Sequence, residues 1–161
     1  MKIDPRCTDR GTSITITHVL TIGITTLLIA VLLTSSGTLL ENETERSAES
    51  SLETIGERLA GEIESVDRMT TNGADSVSIT ADHPRTVANS RYTVTLLSSC
   101  TESPLVDNSS SCIRLTATNA DTEVYVPVVT DTELKDGSSA SGGSLEIYLN
   151  GNDKIAVKRA G

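Results

Sequence analysis

The chain contains no phenylalanine and no tryptophan, and tyrosine occurs only three times. Large aromatic side chains dominate the buried area of many small domains, so a core here has to be built from aliphatic residues. Basic residues are also scarce, because 13 Lys and Arg stand against 22 Asp and Glu, which gives a net charge of -9. A nucleic-acid binder needs positive surface to displace counterions, so this balance excludes a general nucleic-acid-binding role.

Recognisable catalytic and metal-binding motifs are missing as well. The sequence has no C-x-x-C, no G-x-S-x-G and no glycine-rich phosphate loop, and its two histidines are far apart. We interpret His83, which precedes Pro84, as an exposed turn residue. The carboxylates of Asp131, Glu133 and Asp136 do not have the spacing of a calcium loop. The sequence therefore predicts no metal site, no cofactor and no enzymatic activity.

Charged residues are absent between Gly11 and Glu41. Within this gap, Ile14 to Leu33 is an apolar block with interspersed threonines, and a helix of about 20 residues spans a hydrocarbon core of about 30 Å. Threonine hydroxyls can bond to carbonyls of their own helix, so they are tolerated in lipid. We predict a transmembrane helix over 12–36. A secretory signal peptide cleaved near Thr34 is the alternative, but its apolar region would be shorter.

The charges on either side of this block predict its orientation. Six residues decide it: Lys2, Arg6 and Arg10 before the block, and Glu41, Glu43 and Glu45 after it. Positive residues remain on the cytoplasmic side of a membrane. The prediction is a single-pass cell-membrane protein in contact with lipid, with a cytoplasmic N-terminus and an extracellular C-terminus.

Beyond the apolar block, the sequence becomes amphipathic with the period of an α-helix. Apolar residues recur at spacings of three and four and fall on one face of a helix. These six positions, called the stripe below, are Ala48, Leu52, Ile55, Leu59, Ile63 and Val66. We predict an amphipathic stalk helix over 37–72, ended by Asn72-Gly73. The stripe needs a partner, which is either the chain's own C-terminal domain or a neighbouring subunit.

After residue 72 the apolar period changes to two, which is typical of β-strands. Six alternating runs predict a β-rich head over 73–161, centred near residues 78, 94, 115, 126, 147 and 156. Asn150-Gly151 between the last two runs is a strong hairpin signal, and Pro127 indicates a strand end or edge. We interpret 138–144 (SSASGGS) as a flexible loop. The fold class is α+β: a long N-terminal helix followed by a small antiparallel β-sandwich or open barrel.

Two kinds of covalent modification are predicted for the external side. Cys100 and Cys112 flank a polar loop, and a disulfide between them would be worth about 3 kcal/mol; two free thiols are the alternative. The sequons at Asn42 and Asn108 are candidate N-glycosylation sites.

The N-terminal third resembles archaeal type IV pilins, and those of haloarchaea in particular. The residues that carry the resemblance are Asp9-Arg10-Gly11, followed by Thr12-Ser13 and then the apolar block. The acidic, lysine-poor composition is also typical of haloarchaeal proteins. The resemblance implies that residues 1–11 are a cytoplasmic leader and that a prepilin peptidase recognises Arg10 and cuts between Gly11 and Thr12. It also implies that the apolar helix packs with other pilin-like subunits in a filament.

Two functional hypotheses follow. The first is a pilin-like structural subunit of an archaeal type IV pilus or related cell-surface machine, and a minor subunit because the head is elaborate and the anchor contains many threonines. The alternative is a monomeric, membrane-tethered extracellular binding module.

Overall fold

The computed structural model describes residues 9–74, 76–101 and 110–161, with the backbone alone for 9–14 and 36–41. In these residues one helix is followed by eight strands: α1 (Asp9–Thr71), β1 (Ser78–Asp82), β2 (Thr86–Val87), β3 (Ser90–Leu97), β4 (Ser111–Ala117), β5 (Thr122–Val128), β6 (Ser139–Ser141), β7 (Ser144–Leu149) and β8 (Ile155–Arg159). The chain divides into two compact units, one ending at Asn42 and the other formed by Glu43–Gly161. The predicted α+β class is confirmed.

The strands of the second unit form two antiparallel sheets. The smaller has the order β1-β7-β8, and the larger has the order β2-β3-β4-β5. Strand β6 pairs with β3 next to β2, on the edge of β3 that faces away from β4. The sheets curl into a half-barrel, which is the open-barrel form of the prediction. The hydroxyl of Ser138, just before β6, links them, because it accepts from the Val157 amide and donates to the Val157 carbonyl at 3.0 Å each.

All six predicted apolar runs are strands, and two short strands were not predicted. The β7–β8 hairpin turns at Asn150–Asp153, where the Asn150 carboxamide oxygen accepts from the amides of Asn152 and Lys154 at 3.0 Å each. Pro127 lies on β5, an edge strand of the larger sheet, as predicted. The prediction of a flexible loop over 138–144 is wrong, because β6 lies in it and pairs with β3 through backbone hydrogen bonds, which small polar side chains do not disturb.

The stripe on α1 is buried in the core of the head. All six of its residues are buried, the most exposed being Ile55 at 6%. They belong to one apolar cluster with residues of the strands, including Val94, Leu115 and Ile147. The compact unit that contains the head begins at Glu43, so it includes much of the helix predicted as a stalk over 37–72. The C-terminal part of α1 is a structural element of the head, because the half-barrel needs an apolar cover.

Helix and sheet approach each other closely at Gly56, on the buried side of α1. A Cβ atom at this position would lie 2.5 Å from a methyl carbon of Val126 and 2.9 Å from one of Leu115. Both distances are shorter than any normal carbon–carbon contact. Gly56 is thus required by packing, although glycine lowers helix propensity.

A matched pair of substitutions tests this close approach. Gly56→Ala should destabilise the head by about 1–2 kcal/mol, because overpacking costs about 1–3 kcal/mol and the gain in helix propensity returns at most about 1 kcal/mol. Gly61→Ala, where nothing lies within 4 Å of the added Cβ, should stabilise it by up to about 1 kcal/mol. Urea denaturation of both variants measures the two changes; equal effects would contradict the packing.

A buried carboxylate anchors the C-terminal end of α1 to the loop after β5. The side chain of Asp67 accepts hydrogen bonds from the backbone amides of Asp131, at 3.1 Å, and Thr132, at 2.8 Å. Burial by itself would raise the pKa of Asp67, but the hydrogen bonds from Thr132 and Asp131 and the nearby charge of Arg68 outweigh it and lower the pKa below its usual value. The ionised carboxylate therefore contributes stability that is lost as the pH falls through this lowered pKa.

Candidate functional site

The first unit carries an apolar helical segment that could cross a membrane. Residues Thr15–Ser35 of α1 have a mean hydropathy of 2.3, and none of their side chains is buried. Its 21 residues have the length that a bilayer core requires. In length and composition this segment is a candidate single-pass membrane span.

Four threonine hydroxyls of this segment are satisfied within the helix. Several threonine hydroxyls donate to the carbonyl four residues earlier, at 2.7–2.8 Å: Thr21 to Thr17, Thr25 to Thr21, Thr26 to Ile22 and Thr34 to Ala30. A hydroxyl bonded in this way exposes mainly its methyl group and carbon atoms to the surroundings. The threonines are thus compatible with an apolar environment.

One face of the segment is concave at Gly23. Seven residues line an apolar groove of about 510 Å³ there: Thr15, Ile16, Val19, Leu20, Gly23, Ile24 and Leu27. Nothing lies within 4 Å of the position that a Gly23 Cβ would occupy. Glycine at such a position lets a second helix approach closely in a membrane or a bundle.

Most of the predicted processing and glycosylation residues lie within the described part of the chain, and one lies outside it. Arg10, Gly11 and Thr12 lie in the first turns of α1, where the backbone is helical. Asn42 is on the same helix with an exposed side chain. Asn108 lies outside the described residues, as does the leader up to residue 8.

Cys100 and Cys112 are joined by a disulfide, so the alternative of two free thiols does not apply to this structure. Both residues are fully buried, and Cys112 is the second residue of β4. The Cys100 amide also donates to the Ser110 carbonyl at 3.1 Å. The bridge thus closes the segment between β3 and β4 at its base.

The prediction that His83 is an exposed turn residue is wrong. Its side chain is fully buried, and its Nε2 lies 3.0 Å from a carboxylate oxygen of Glu62 on α1. The His83 amide also donates to the Gly143 carbonyl at 3.2 Å, which holds the turn inward. Its Nδ1 has no hydrogen-bond partner among the described residues. Because Glu62 also pairs with Arg58 at 3.2 Å, we interpret His83 as a link between helix and sheet.

The described residues include no group of three or more His, Cys, Asp or Glu side chains that could hold a metal ion. Two of the acidic residues singled out above have other contacts. Glu133 pairs with Lys154 at 3.0 Å, and Asp136 accepts from the Ser98 amide at 3.1 Å.

A small basic pocket of the head was also not predicted from the sequence. It has a volume of about 190 Å³ and is lined by Arg85, Arg91, Tyr92, Ser141, Gly142 and Arg159. We call it the arginine pocket. Its residues come from the segment before β2 and from β3, β6 and β8, which are distant in sequence, so no local motif reveals it.

Comparison with known proteins places the chain in a family. Residues 7–158 match a family of unknown function, DUF7266. The chain belongs to this family. The DUF7266 match begins before the apolar segment and ends in β8, so the apolar helix and the head fall within a single family unit. No curated protein and no solved structure gives a significant match.

Proposed function

We propose that this protein is a pilin-like structural subunit of an archaeal type IV pilus or a related cell-surface machine, with its head outside the cell. The observation that carries the proposal is the uncharged segment Thr15–Ser35, whose side chains are all exposed in the described part of the chain. The same helix, α1, continues to Thr71 and supplies the stripe to the core of the head. A helix that is apolar on all sides can leave lipid for a bundle of identical helices without exposing charge.

The stripe does not contribute to this proposal. The stripe is buried against the strands of its own head, so it is not available for contacts with neighbouring subunits. Contacts between subunits would therefore use the apolar segment, with its groove at Gly23, and the outer surface of the head.

The second candidate function is the monomeric, membrane-tethered binding module. The arginine pocket favours it, because a built pocket on the head is a feature that a binding module needs. In that case the apolar segment is a plain anchor and the protein keeps its leader.

Processing of the N-terminus separates the two functions. We expect mass spectrometry of the native membrane-bound protein to find a mature N-terminus at Thr12, because the residues around Arg10 resemble a prepilin peptidase site. Arg10→Ala should leave the protein uncut, whereas Lys2→Ala, which removes a charge elsewhere in the leader, should not affect cleavage. Protease added to intact cells should remove a C-terminal tag.

Each other outcome has a defined meaning. A native protein that still begins at residue 1 or 2 would contradict the pilin-like function and favour the tethered module. An N-terminus near Gly37 would indicate a secreted head. Protection of the C-terminal tag until the cells are lysed would contradict the orientation.

A further inference from the structure

The three arginines of the arginine pocket have no acidic partner among the residues that the structure describes. Arg85, Arg91 and Arg159 make no ion pair or side-chain hydrogen bond with any residue that the structure describes. Five other basic residues of the head do have one, in the pairs Arg58–Glu62, Arg68–Glu64, Arg114–Glu123, Lys154–Glu133 and Lys158–Glu146. Arg46 and Lys135 have none among the described residues, but neither of them lines the pocket. In a chain with a net charge of -9, three neighbouring arginines without a partner in the described part of the chain require an explanation.

The pocket is held in shape by two glycines of the Ser141–Ser144 stretch. A Cβ atom at Gly142 would overlap the ring of Tyr92, so the ring can occupy its position only because residue 142 has no side chain. Gly143 has a φ of 121°, which only glycine adopts readily, and the side chain of Arg85 lies over it. The Tyr92 hydroxyl donates to the Pro84 carbonyl at 2.7 Å, and burial raises the pKa of Tyr92, so the phenol stays neutral.

A complementary set of charges lies on α1 in the same compact unit. Glu45, Glu49, Glu53 and Glu57 are exposed and follow each other at intervals of four residues, so they form a row along the helix. We call it the glutamate row. None of its side chains has a hydrogen bond or ion pair with a described residue. Like charges at this spacing repel each other and destabilise an isolated helix, so the row lacks an evident role within the head.

We propose that the arginine pocket of one copy of this chain binds the glutamate row of a second copy. The inference rests on the proposed function, since it supplies the contact between heads that a filament requires. Arginine suits this role because its planar guanidinium group binds a carboxylate through two parallel hydrogen bonds. The pocket, of about 190 Å³, can hold the carboxylate ends of glutamate side chains.

The two surfaces are different parts of the head, so the contact is head-to-tail and not symmetric. Each copy offers both surfaces, and a contact of this kind generates a ring or an open helical array. Copies with a net charge of -9 repel each other at long range. A local contact between opposite charges therefore selects one arrangement of two copies over the others.

Cross-linking of the full-length chain in its own membrane tests the contact. Two chains with different tags, both carrying Cys7→Ser, are co-expressed, one with Glu53→Cys and the other with Arg91→Cys. Oxidation should produce dimers that contain both tags. Lys135→Cys in place of Arg91→Cys is the matched control, because Lys135 is an exposed lysine outside the pocket.

Charge reversal tests the chemistry of the contact. With Glu49→Cys and Arg85→Cys as the reporting pair, Arg91→Glu on the Arg85→Cys chain should lower the yield of mixed dimers at least tenfold. Glu53→Arg on the other chain should restore it, and Lys135→Glu should not change it. All these residues are exposed, so the head should fold normally in each variant.

Three results would overturn the inference: no mixed dimers, dimers between identical tags only, or an unchanged yield with Arg91→Glu. An unchanged yield would show that the two heads meet without an ionic contact at Arg91. The results that would contradict the proposed function are different from those that would contradict this contact. A protein cut after Gly11 that forms no mixed dimers would keep the pilin-like function and lose this contact, whereas mixed dimers of an uncut protein would keep the contact and lose the pilin-like function.

Discussion

Replacing Leu59 with Asp should destabilise the head by about 4 kcal/mol or more, which is enough to unfold many small domains. Leu59 is fully buried in the middle of the stripe. The substitution removes its apolar contacts with the core and places an unpaired carboxylate in the same space, and burial of an unpaired charge is costly. Urea denaturation of the unit Glu43–Gly161, followed by circular dichroism, measures the loss.

Glu57→Gln is the matched control for this result. Glu57 lies two residues away on the exposed side of the same helix, so its substitution should change the stability of the head by less than about 0.5 kcal/mol. Equal, small effects at Leu59 and Glu57 would contradict the burial of the stripe. If Leu59→Asp left the head stable but prevented filament assembly, the stripe would pack against neighbouring subunits instead.

Loss of the disulfide should have the next largest effect. The double variant Cys100→Ala and Cys112→Ala should lose about 3 kcal/mol of stability, because the bridge restricts the unfolded chain over a short loop. Urea denaturation measures this change. Intact-mass analysis after alkylation of the unreduced wild-type protein should find neither of these two thiols free.

A reductant provides the control for the disulfide. It should lower the stability of the wild-type head to about that of the double variant, and it should not change the double variant. Alkylation of both cysteines in the absence of reductant would show that the native protein lacks the bridge.

The parts of the fold that could be predicted from the sequence are those with a repeated apolar pattern. The alternation in β3 and the spacing of the stripe both report which side chains are buried, and the structure confirms them. The hairpin around Asn150-Gly151 was predictable because turn-forming residues separate two alternating runs, although the left-handed residue of its loop is Asp153. The candidate membrane span followed from composition alone.

Other features could not be predicted, because they depend on residues that are distant in the chain. The burial of His83 follows from its contact with Glu62, and the need for glycine at position 56 follows from the side chains of Leu115 and Val126. Strand β6 has no apolar alternation and is held by its pairing with β3. The arginine pocket is assembled from four separate segments. The cleavage after Gly11 and the pilin-like function remain predictions.

The pairing of β1 has a consequence for the order of folding. This first strand of the head pairs with β7, whose partner residues are about 65 positions further along the chain, and β7 in turn pairs with β8. Contacts over such separations form slowly, because a long loop must close before they stabilise the chain. The head therefore cannot complete its core until the β7–β8 hairpin has left the ribosome. Until then the apolar stripe on α1 lacks the strands that bury it in the folded head, so it needs protection from aggregation.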